Sequence, residues 1–245
     1  MKRVVLVQAR MTSTRLPGKV LADIAGVPML AQQLRRLNLC EKVDDVIVAT
    51  TTNPSDIPIV ELARRERAGW FCGSEHDVLS RFINAAQQAK ADVIVRVTAD
   101  CPLIDPQITD RVIQALIDNT AECDYASNVL KRTYPRGLDV EAMFIDTLQR
   151  IGRLARTQVE REHVTVLPRS DQKNLFLVCS VEDTSDNSDL RWTVDTEADL
   201  CLTRALFEEL DLSNKIVEYK RILDWIRSHP ELSKINAGIE TWTPV

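Results

Sequence analysis

The amino-acid sequence predicts an α/β fold in which a mostly parallel sheet is flanked by helices. Apolar runs of strand length alternate with helical patterns from residue 3 onwards, which is typical of βαβ units. The runs at 46–50 and 93–97 are nearly continuous in apolar residues, as expected for strands covered on both faces. With 245 residues, of which 44% are hydrophobic, the chain can bury a large core. We therefore expect one domain over residues 1–245.

The order of the predicted elements follows from the hydrophobic periodicity. The predicted strands lie near residues 3–7, 46–50 and 92–97, and the predicted helices near 28–39, 56–67, 77–89 and 106–118. After Cys123 the regular alternation stops, and residues 125–141 indicate a strand, a basic loop and a second strand. The remaining pattern predicts a helix near 145–156, strands near 175–181 and 191–194, a helix from Glu197 and a last helix near 216–228.

Composition excludes several classes of protein. The 31 Lys and Arg residues against 36 Asp and Glu residues give a net charge of −5, which argues against a general nucleic-acid or anionic-membrane surface. Apolar runs are only strand-sized and the first residues lack a signal-peptide pattern, so we expect a cytoplasmic protein without membrane contact. The six cysteines form no C-x-x-C pair and the three histidines lie far apart, which favours buried reduced thiols over disulfides or zinc.

The first predicted strand runs into a segment with the composition of a phosphate-binding loop. Arg10, Arg15 and Lys19 supply three cations that could neutralise a polyphosphate. Hydroxyl groups stand at positions 12, 13 and 14, and Pro-Gly at 17 and 18 turns the chain. The segment is not a Walker A motif, because Ser13 replaces the first glycine and Val20 replaces the Ser or Thr after the lysine. A solvated loop of surface charges is the alternative interpretation.

Two aspartates follow apolar stretches that are predicted to be strands, Asp100 in one case and Asp195 in the other. Ligands of open α/β sheets collect outside the carboxyl ends of the strands, so both carboxylates can lie at one edge of the sheet. An ordinary turn former is the alternative for Asp100. Thr196, directly after Asp195, is predicted to cap the helix that follows.

The start of the helix near 77–89 and the basic loop near 131–136 offer two further polar sites. Ser74 and Asp77 are both suitable N-caps, and the free amides of a helix start would suit polar groups of a nucleotide. Capping alone is the alternative. The loop cations Lys131, Arg132 and Arg136 would suit an anionic acceptor substrate, although solvated loop charges are the commoner explanation for any one of them.

Four sequence blocks, taken together, resemble a known family. They span about residues 1–210 and comprise 8–19 (QARMTSTRLPGK), 73–81 (GSEHDVLSR), 98–105 (TADCPLID) and 191–200 (RWTVDTEADL). In order and spacing they resemble the cytidylyltransferases that make CMP-activated acidic sugars, the CMP-Kdo and CMP-sialic acid synthetases, and in particular the spore coat polysaccharide biosynthesis protein SpsF branch. Gln8 departs from the Pro usual in the first two enzymes. The resemblance therefore indicates the reaction type better than the acceptor sugar.

The resemblance implies a Rossmann-like nucleotide-diphosphosugar transferase fold with an inserted dimerisation arm at about residues 125–165, and hence a homodimer. Apolar residues of this region would meet the partner, among them Leu138, Val140, Met143 and Phe144. The resemblance also implies CTP as the nucleotide. Its binding residues would be Ala9, Arg10, Thr12, Ser13, Arg15, Lys19, Ser74, Asp77 and Val78.

The remaining roles also come from the resemblance. Asp100 and Asp195 would hold Mg²⁺, and Arg10, Arg15 and Lys19 would act in catalysis together with Asp100. The acceptor sugar would be bound by Arg136, Asp139, Glu141 and His163. Because two nearby carboxylates repel each other, we expect replacement of either metal ligand to leave the fold intact or to stabilise it.

The implied reaction is attack by a sugar hydroxyl on the α-phosphorus of CTP with release of pyrophosphate. Positioning and charge neutralisation would supply most of the catalysis. A divalent cation can acidify the hydroxyl, which leaves Asp139 and His163 as the weaker candidates for a general base. A glycosyltransferase on the same fold is the alternative enzyme, but its D-x-D metal motif is absent from the sequence. A non-catalytic nucleotide-binding protein is the alternative from another class.

Overall fold

Three apolar segments form adjacent parallel strands at the centre of the sheet in the computed structural model, which describes residues 1–170 and 174–239. They are β1 (Arg3–Gln8), β4 (Asp45–Thr51) and β6 (Val93–Thr98), with β1 paired to both of the others. Four consecutive β1 residues, 4–7, are inaccessible to solvent, because helices cover both faces of the sheet. The predicted α/β fold with a mostly parallel sheet is confirmed.

In the described part of the chain the sheet has seven strands, in the order β5-β4-β1-β6-β8-β7-β9. Strand β8 runs antiparallel to both of its neighbours, and the other pairs are parallel. A separate two-stranded hairpin, β2-β3, follows the phosphate-binding loop. The remaining strands are β2 (Asp23–Ile24), β3 (Val27–Pro28), β5 (Gly69–Gly73), β7 (Tyr125–Ser127), β8 (Glu141–Phe144) and β9 (Val178–Ser180).

Helices connect the strands, and side-chain caps define the start of several of them. In the described part of the chain they are α1 (Met29–Leu37), α2 (Ile57–Arg65), α3 (Val78–Ala89), α4 (Pro106–Asp118), α5 (Ile145–Leu154), α6 (Gln158–Glu162), α7 (Val166–Arg169), α8 (Glu197–Glu209), α9 (Tyr219–Ser228) and α10 (Pro230–Ser233). Asp77 caps α3, and Thr196 forms the predicted cap of α8 as part of a capping box. No helix within residues 1–170 or 174–239 is long and apolar enough to cross a bilayer.

Alternate residues of β1 point into two separate parts of the core. Val5 and Val7 pack with apolar residues of α1, α2 and α4, whereas Val4 and Leu6 pack with α3 and α5. A third cluster joins α8 and α9 to the segment around Trp192. This third cluster supports one wall of the site described below.

The structure corrects one predicted strand and adds another strand that was not predicted. Residues 191–194 form no strand: Arg191 makes a single bridge to Arg136, while Trp192 and Val194 are buried in the third cluster. The apolar pattern therefore reflects burial of an extended segment beside α8 and α9. The structure also contains strand β5, which the sequence pattern did not predict, because its half-exposed Gly-rich sequence lacks a continuous apolar run.

The region proposed as a dimerisation arm contributes to the core of its own chain. Strands β7 and β8 belong to the central sheet. Leu138, Val140 and Met143 are buried in the three separate clusters, and Phe144 packs partly buried against one of them. The prediction that Leu138, Val140 and Met143 contact a partner is therefore wrong, because their apolar surface is already covered. Phe144 is partly exposed, and its contact with a partner stays a prediction. All six cysteines are free thiols. Three of them are buried as predicted, but Cys179 is partly exposed and Cys72 and Cys201 are exposed.

Candidate active site

The phosphate-binding loop leaves the carboxyl end of β1 and is folded back on itself. The backbone carbonyl of Met11 accepts hydrogen bonds from the amides of Ser13 and Gly18, at 3.0 and 2.9 Å. The amide of Met11 donates to the buried carboxylate of Asp56 at 2.9 Å, and Thr51 at the end of β4 donates to the same carboxylate. The loop is thus fixed at its base to the neighbouring strand.

Lys19, the last cation of the loop, points into the protein. Its ammonium group donates to Asp195 Oδ1 at 2.8 Å and to the carbonyl oxygen of Val194 at 2.8 Å, and it lies 3.4 Å from Asp100 Oδ2. Only 10% of the Lys19 side chain is exposed. The predicted convergence of Asp100 and Asp195 is therefore present, and an ammonium group lies between them.

A backbone contact explains how Asp100 and Asp195 meet although no strand precedes Asp195. The amide of Val194 donates to the carbonyl of Asp100 at 2.8 Å, and the hydroxyl of Thr193 donates to the same oxygen. The carboxylate of Asp100 is oriented by the hydroxyl of Thr98, at 2.5 Å. The segment 191–195 is thus held against the loop after β6.

Two arginines hold the second carboxylate oxygen of Asp195. Arg191 and Arg15 donate to Oδ2 at 2.8 and 3.0 Å, and Arg191 also binds the buried Asp199. Asn236 donates to Asp199 and to the carbonyl of Arg191, both at 2.9 Å. Sequence reasoning missed the role of Arg191. Its position four residues before Asp195, within the last sequence block, was the available signal.

The charges of this cluster stabilise one another. Burial alone would lower the pKa of Lys19, but Asp100 and Asp195 outweigh it and raise that pKa above its usual value. Partial burial would raise the pKa of Asp100, but the Lys19 ammonium and the Thr98 hydroxyl lower it. The expectation that removal of a carboxylate would relieve repulsion is therefore wrong for this protein, because the ammonium of Lys19 already bridges the two carboxylates.

A cavity of about 140 Å³ opens beside these carboxylates. Arg136 and Asp139, two of the predicted acceptor residues, lie in its wall, together with Arg15, Asp100, Arg191 and Asp195. Asp139 is held by Arg132 through two hydrogen bonds of 2.7 and 2.8 Å. Within residues 1–170 and 174–239, the guanidinium of Arg136 forms no ion pair, and burial and then the neighbouring Arg132 lower its pKa. It is free to bind an anion.

The other two predicted acceptor residues lie elsewhere. Glu141 is buried in β8, where it pairs with Arg96 and accepts hydrogen bonds from Tyr125 and Thr165. Its burial separates it from any acceptor in the cavity, so direct binding by Glu141 is not supported. His163 is partly buried after α6, where burial lowers its pKa, and it does not line the cavity.

Three of the residues predicted to bind the nucleotide lie around the start of α3. Asp77 accepts from the amide of Ser80 at 2.9 Å and pairs with Arg161, so its carboxylate has structural partners. The hydroxyl of Ser74 accepts from the amide of Asp77 at 3.0 Å. Val78 is buried. These contacts show Asp77 as the helix cap, with Ser74 as an exposed residue beside it.

The remaining residues of the loop either contact polar groups near the surface or are buried. Within the described ranges, the ion pairs of Arg10 are long, 3.9 Å to Glu75 and 3.8 Å to Glu162. Thr12 donates to Glu75 at 2.7 Å, Ser13 accepts from the amide of Leu16 at 3.4 Å, and Ala9 is buried. Arg10 can therefore be recruited by a stronger anion with little loss.

Arg81 is a further buried cation that sequence reasoning did not assign. It is 1% exposed, and its Nη1 donates to the carbonyl of Ser74 at 2.7 Å. In the described part of the chain its Nε and Nη2 atoms have no hydrogen-bond partner. Burial, and then the charge of Arg10, lower its pKa to about 10. A buried cation thus lies close to Ser74 and Arg10, two of the residues predicted to bind the nucleotide.

The cationic loop after the first strand, the two carboxylates and the cavity lie together at the carboxyl edge of the parallel strands, where open α/β sheets bind their ligands. The chain belongs to the cytidylyltransferase family, whose sequence model matches residues 4–205.

Individual relatives agree with this assignment. The chain is 31% identical over 211 residues to the spore coat polysaccharide biosynthesis protein SpsF of Bacillus subtilis, which covers 83% of this chain and 85% of that protein. It is 41% identical over 127 residues to 3-deoxy-manno-octulosonate cytidylyltransferase of Yersinia pseudotuberculosis, about half of each chain (50% and 48%). The solved structure of a cytidylyltransferase from Leptospira borgpetersenii superposes with a TM-score of 0.91 at 30% identity, over 98% of this chain and 100% of that one.

Proposed function

We propose that the protein transfers CMP from CTP to a hydroxyl group of an acidic sugar and releases pyrophosphate. The observation that carries the proposal is the cluster of Lys19, Asp100 and Asp195 between the phosphate-binding loop and the cavity around Arg136. Membership of the cytidylyltransferase family supports the CMP transfer. One relative is named for the biosynthesis of a spore coat polysaccharide, and another is named for 3-deoxy-manno-octulosonate, an acidic sugar. The first name supports an acceptor used in polysaccharide biosynthesis, and the second supports an acidic sugar as the acceptor.

The loop cations would bind the triphosphate tail. Arg15 is half-exposed and the ion pairs of Arg10 within the described ranges are long, so both can turn towards phosphate oxygens at small cost. Lys19 would follow the tail as a compact charge on a flexible stem. Together they would neutralise the charge that develops on the departing pyrophosphate, in a site whose geometry is fixed by the contact between the loop and Asp56.

The donor set around Lys19 fits a magnesium ion. Mg²⁺ takes hard oxygen ligands and is commonly held by one or two carboxylates together with substrate phosphates and water. Asp100 and Asp195 provide two such carboxylates. Because no cluster of three or more acidic, His or Cys side chains suited to a metal occurs among the described residues, substrate phosphates and water would supply the other ligands. When bound there, the ion would supply charge for the phosphate oxygens and would acidify the acceptor hydroxyl.

The acceptor would lie in the cavity on the far side of these carboxylates. Arg136 has a guanidinium group without an ion pair in residues 1–170 and 174–239, and can bind a carboxylate through two parallel hydrogen bonds. Asp139 is fixed by Arg132 and would accept hydrogen bonds from sugar hydroxyls. Because both of its carboxylate oxygens already accept hydrogen bonds from Arg132, we assign Asp139 to positioning of the sugar rather than to proton abstraction.

Binding of nucleotides tests the base preference. We expect CTP with Mg²⁺ to raise the melting temperature more than ATP, GTP or UTP at equal concentration. UTP is the matched control, since it differs from CTP only in the base. Equal stabilisation by all four would contradict the cytidine preference, and stabilisation only by UDP-sugars with Mn²⁺ would favour the glycosyltransferase.

We also propose a cytoplasmic homodimer, with an interface outside the buried residues Leu138, Val140 and Met143.

A further inference from the structure

The ammonium group of Lys19 lies where a cation shared by Asp100 and Asp195 would lie. It is 2.8 Å from Asp195 Oδ1 and 3.4 Å from Asp100 Oδ2. A third contact, 2.8 Å to the carbonyl of Val194, completes a shell of three oxygen atoms around the nitrogen. Lys19 is almost fully buried, so this position is part of the fold.

The charges around this position are balanced without a metal ion. The two carboxylates and the adjoining Asp199 carry three negative charges, and they contact the three cations Lys19, Arg15 and Arg191. A divalent cation added to this neutral cluster would leave two positive charges in excess at short distances. The repulsion between Lys19 and a cation a few ångströms away is substantial in a partly buried site.

We infer that Lys19 excludes a divalent cation from the nucleotide-free protein and admits it when a polyphosphate draws the ammonium away. The inference rests on the proposed function, because it takes Asp100 and Asp195 as the metal ligands. Lys19 belongs to the phosphate-binding loop, and its flexible stem lets the ammonium exchange carboxylate for phosphate oxygens. Metal and nucleotide therefore favour each other's binding, and the coupling is reciprocal. Lys19 thus prevents a metal ion from binding to Asp100 and Asp195 until the nucleotide is bound.

Titration of the full chain with Mn²⁺ alone, without nucleotide, tests the inference by calorimetry or by the electron paramagnetic resonance signal of free Mn²⁺. We expect Lys19→Met to bind Mn²⁺ at least about tenfold more tightly than the wild type, because methionine is neutral and ends one atom short of the ammonium position between the carboxylates. The gain should disappear in the double variant Lys19→Met with Asp195→Asn. Lys19→Gln is the second variant, should the methionine protein fail to fold.

Arg15→Met is the matched control. It removes one positive charge from Asp195 Oδ2, but the ammonium remains between the carboxylates, so the Mn²⁺ affinity should change far less. Equal affinity of wild type and Lys19→Met would overturn the inference. If Asp195→Asn then weakened Mn²⁺ binding equally in the wild type and in Lys19→Met, the proposed metal site would be supported and only the role of Lys19 would be rejected. Absence of Mn²⁺ binding in both Lys19→Met and Lys19→Gln would also overturn the inference. The proposed function is tested separately, by the transfer activity of the wild type.

Discussion

Replacement of Asp100 or Asp195 by Asn is expected to reduce turnover roughly 10³-fold, since several kcal/mol of metal-assisted charge stabilisation would be lost. Both carboxylates contact the same ammonium group, and both would hold the same ion. Residues that act as a unit give strongly non-additive effects, so the double variant should be little worse than either single variant. The measurement is pyrophosphate release from CTP at varied Mg²⁺ concentration.

The melting temperatures of the same variants provide the control. Asp195→Asn removes the partner of Lys19, Arg15 and Arg191 and should destabilise the protein by about 1–3 kcal/mol. Asp100→Asn should cost less, because Asp195 and the Val194 carbonyl still hold the ammonium. Defects that multiply in the double variant, in proteins that remain folded at the assay temperature, would show that the two aspartates do not share a metal ion.

Gly137→Ala is expected to have the largest effect on stability. Gly137 has φ of +105°, and a β-carbon there would lie 2.5 Å from the amide nitrogen of Thr193 and 2.6 Å from the carbonyl carbon of Trp192. Neither backbone atom can move without shifting the segment that carries Asp195. We expect a loss of about 3 kcal/mol or more in the free energy of unfolding, and weaker turnover in any protein that folds. Denaturant unfolding is the measurement.

Gly26→Ala is the matched control for this substitution. Gly26 also has a positive φ, +79°, but a β-carbon there would meet no atom within 4 Å. It should therefore show only the cost of the left-handed conformation, about 1 kcal/mol. Similar losses at both positions would mean that the contact between Gly137 and the 192–193 backbone does not hold the site together.

Much of the fold could be predicted from local patterns. The central strands β1, β4 and β6 are continuous apolar runs because both of their faces are covered, and this pattern is specific. The start of α8 was predictable because Thr196 has the residue type of an N-cap directly before the helical pattern. The position of the cationic loop was predictable because Arg10, Arg15 and Lys19 directly follow the buried strand β1. Its role in phosphate binding stays a prediction.

Contacts between distant parts of the chain could not be predicted. The segment 191–194 has the apolar pattern of a strand, yet among the described residues its backbone-to-backbone hydrogen bonds join it only to Arg136 and to the carbonyl of Asp100. Trp192 and Val194 are apolar because they lie in the third core cluster. The same limit applies to Glu141, which was predicted at the acceptor site but pairs inside the protein with Arg96. A charged residue in a sequence does not reveal whether its counter-ion is a ligand or another side chain.

Formation of the product tests the central claim most directly. The wild-type protein would be incubated with CTP, Mg²⁺ and each of a panel of acidic sugars, with UTP in parallel, and the products would be measured by mass spectrometry together with pyrophosphate. The proposed function predicts a CMP-linked sugar and an equal amount of pyrophosphate with CTP, and neither without an acceptor. Pyrophosphate release without any CMP-linked product, or equal transfer from UTP, would contradict it.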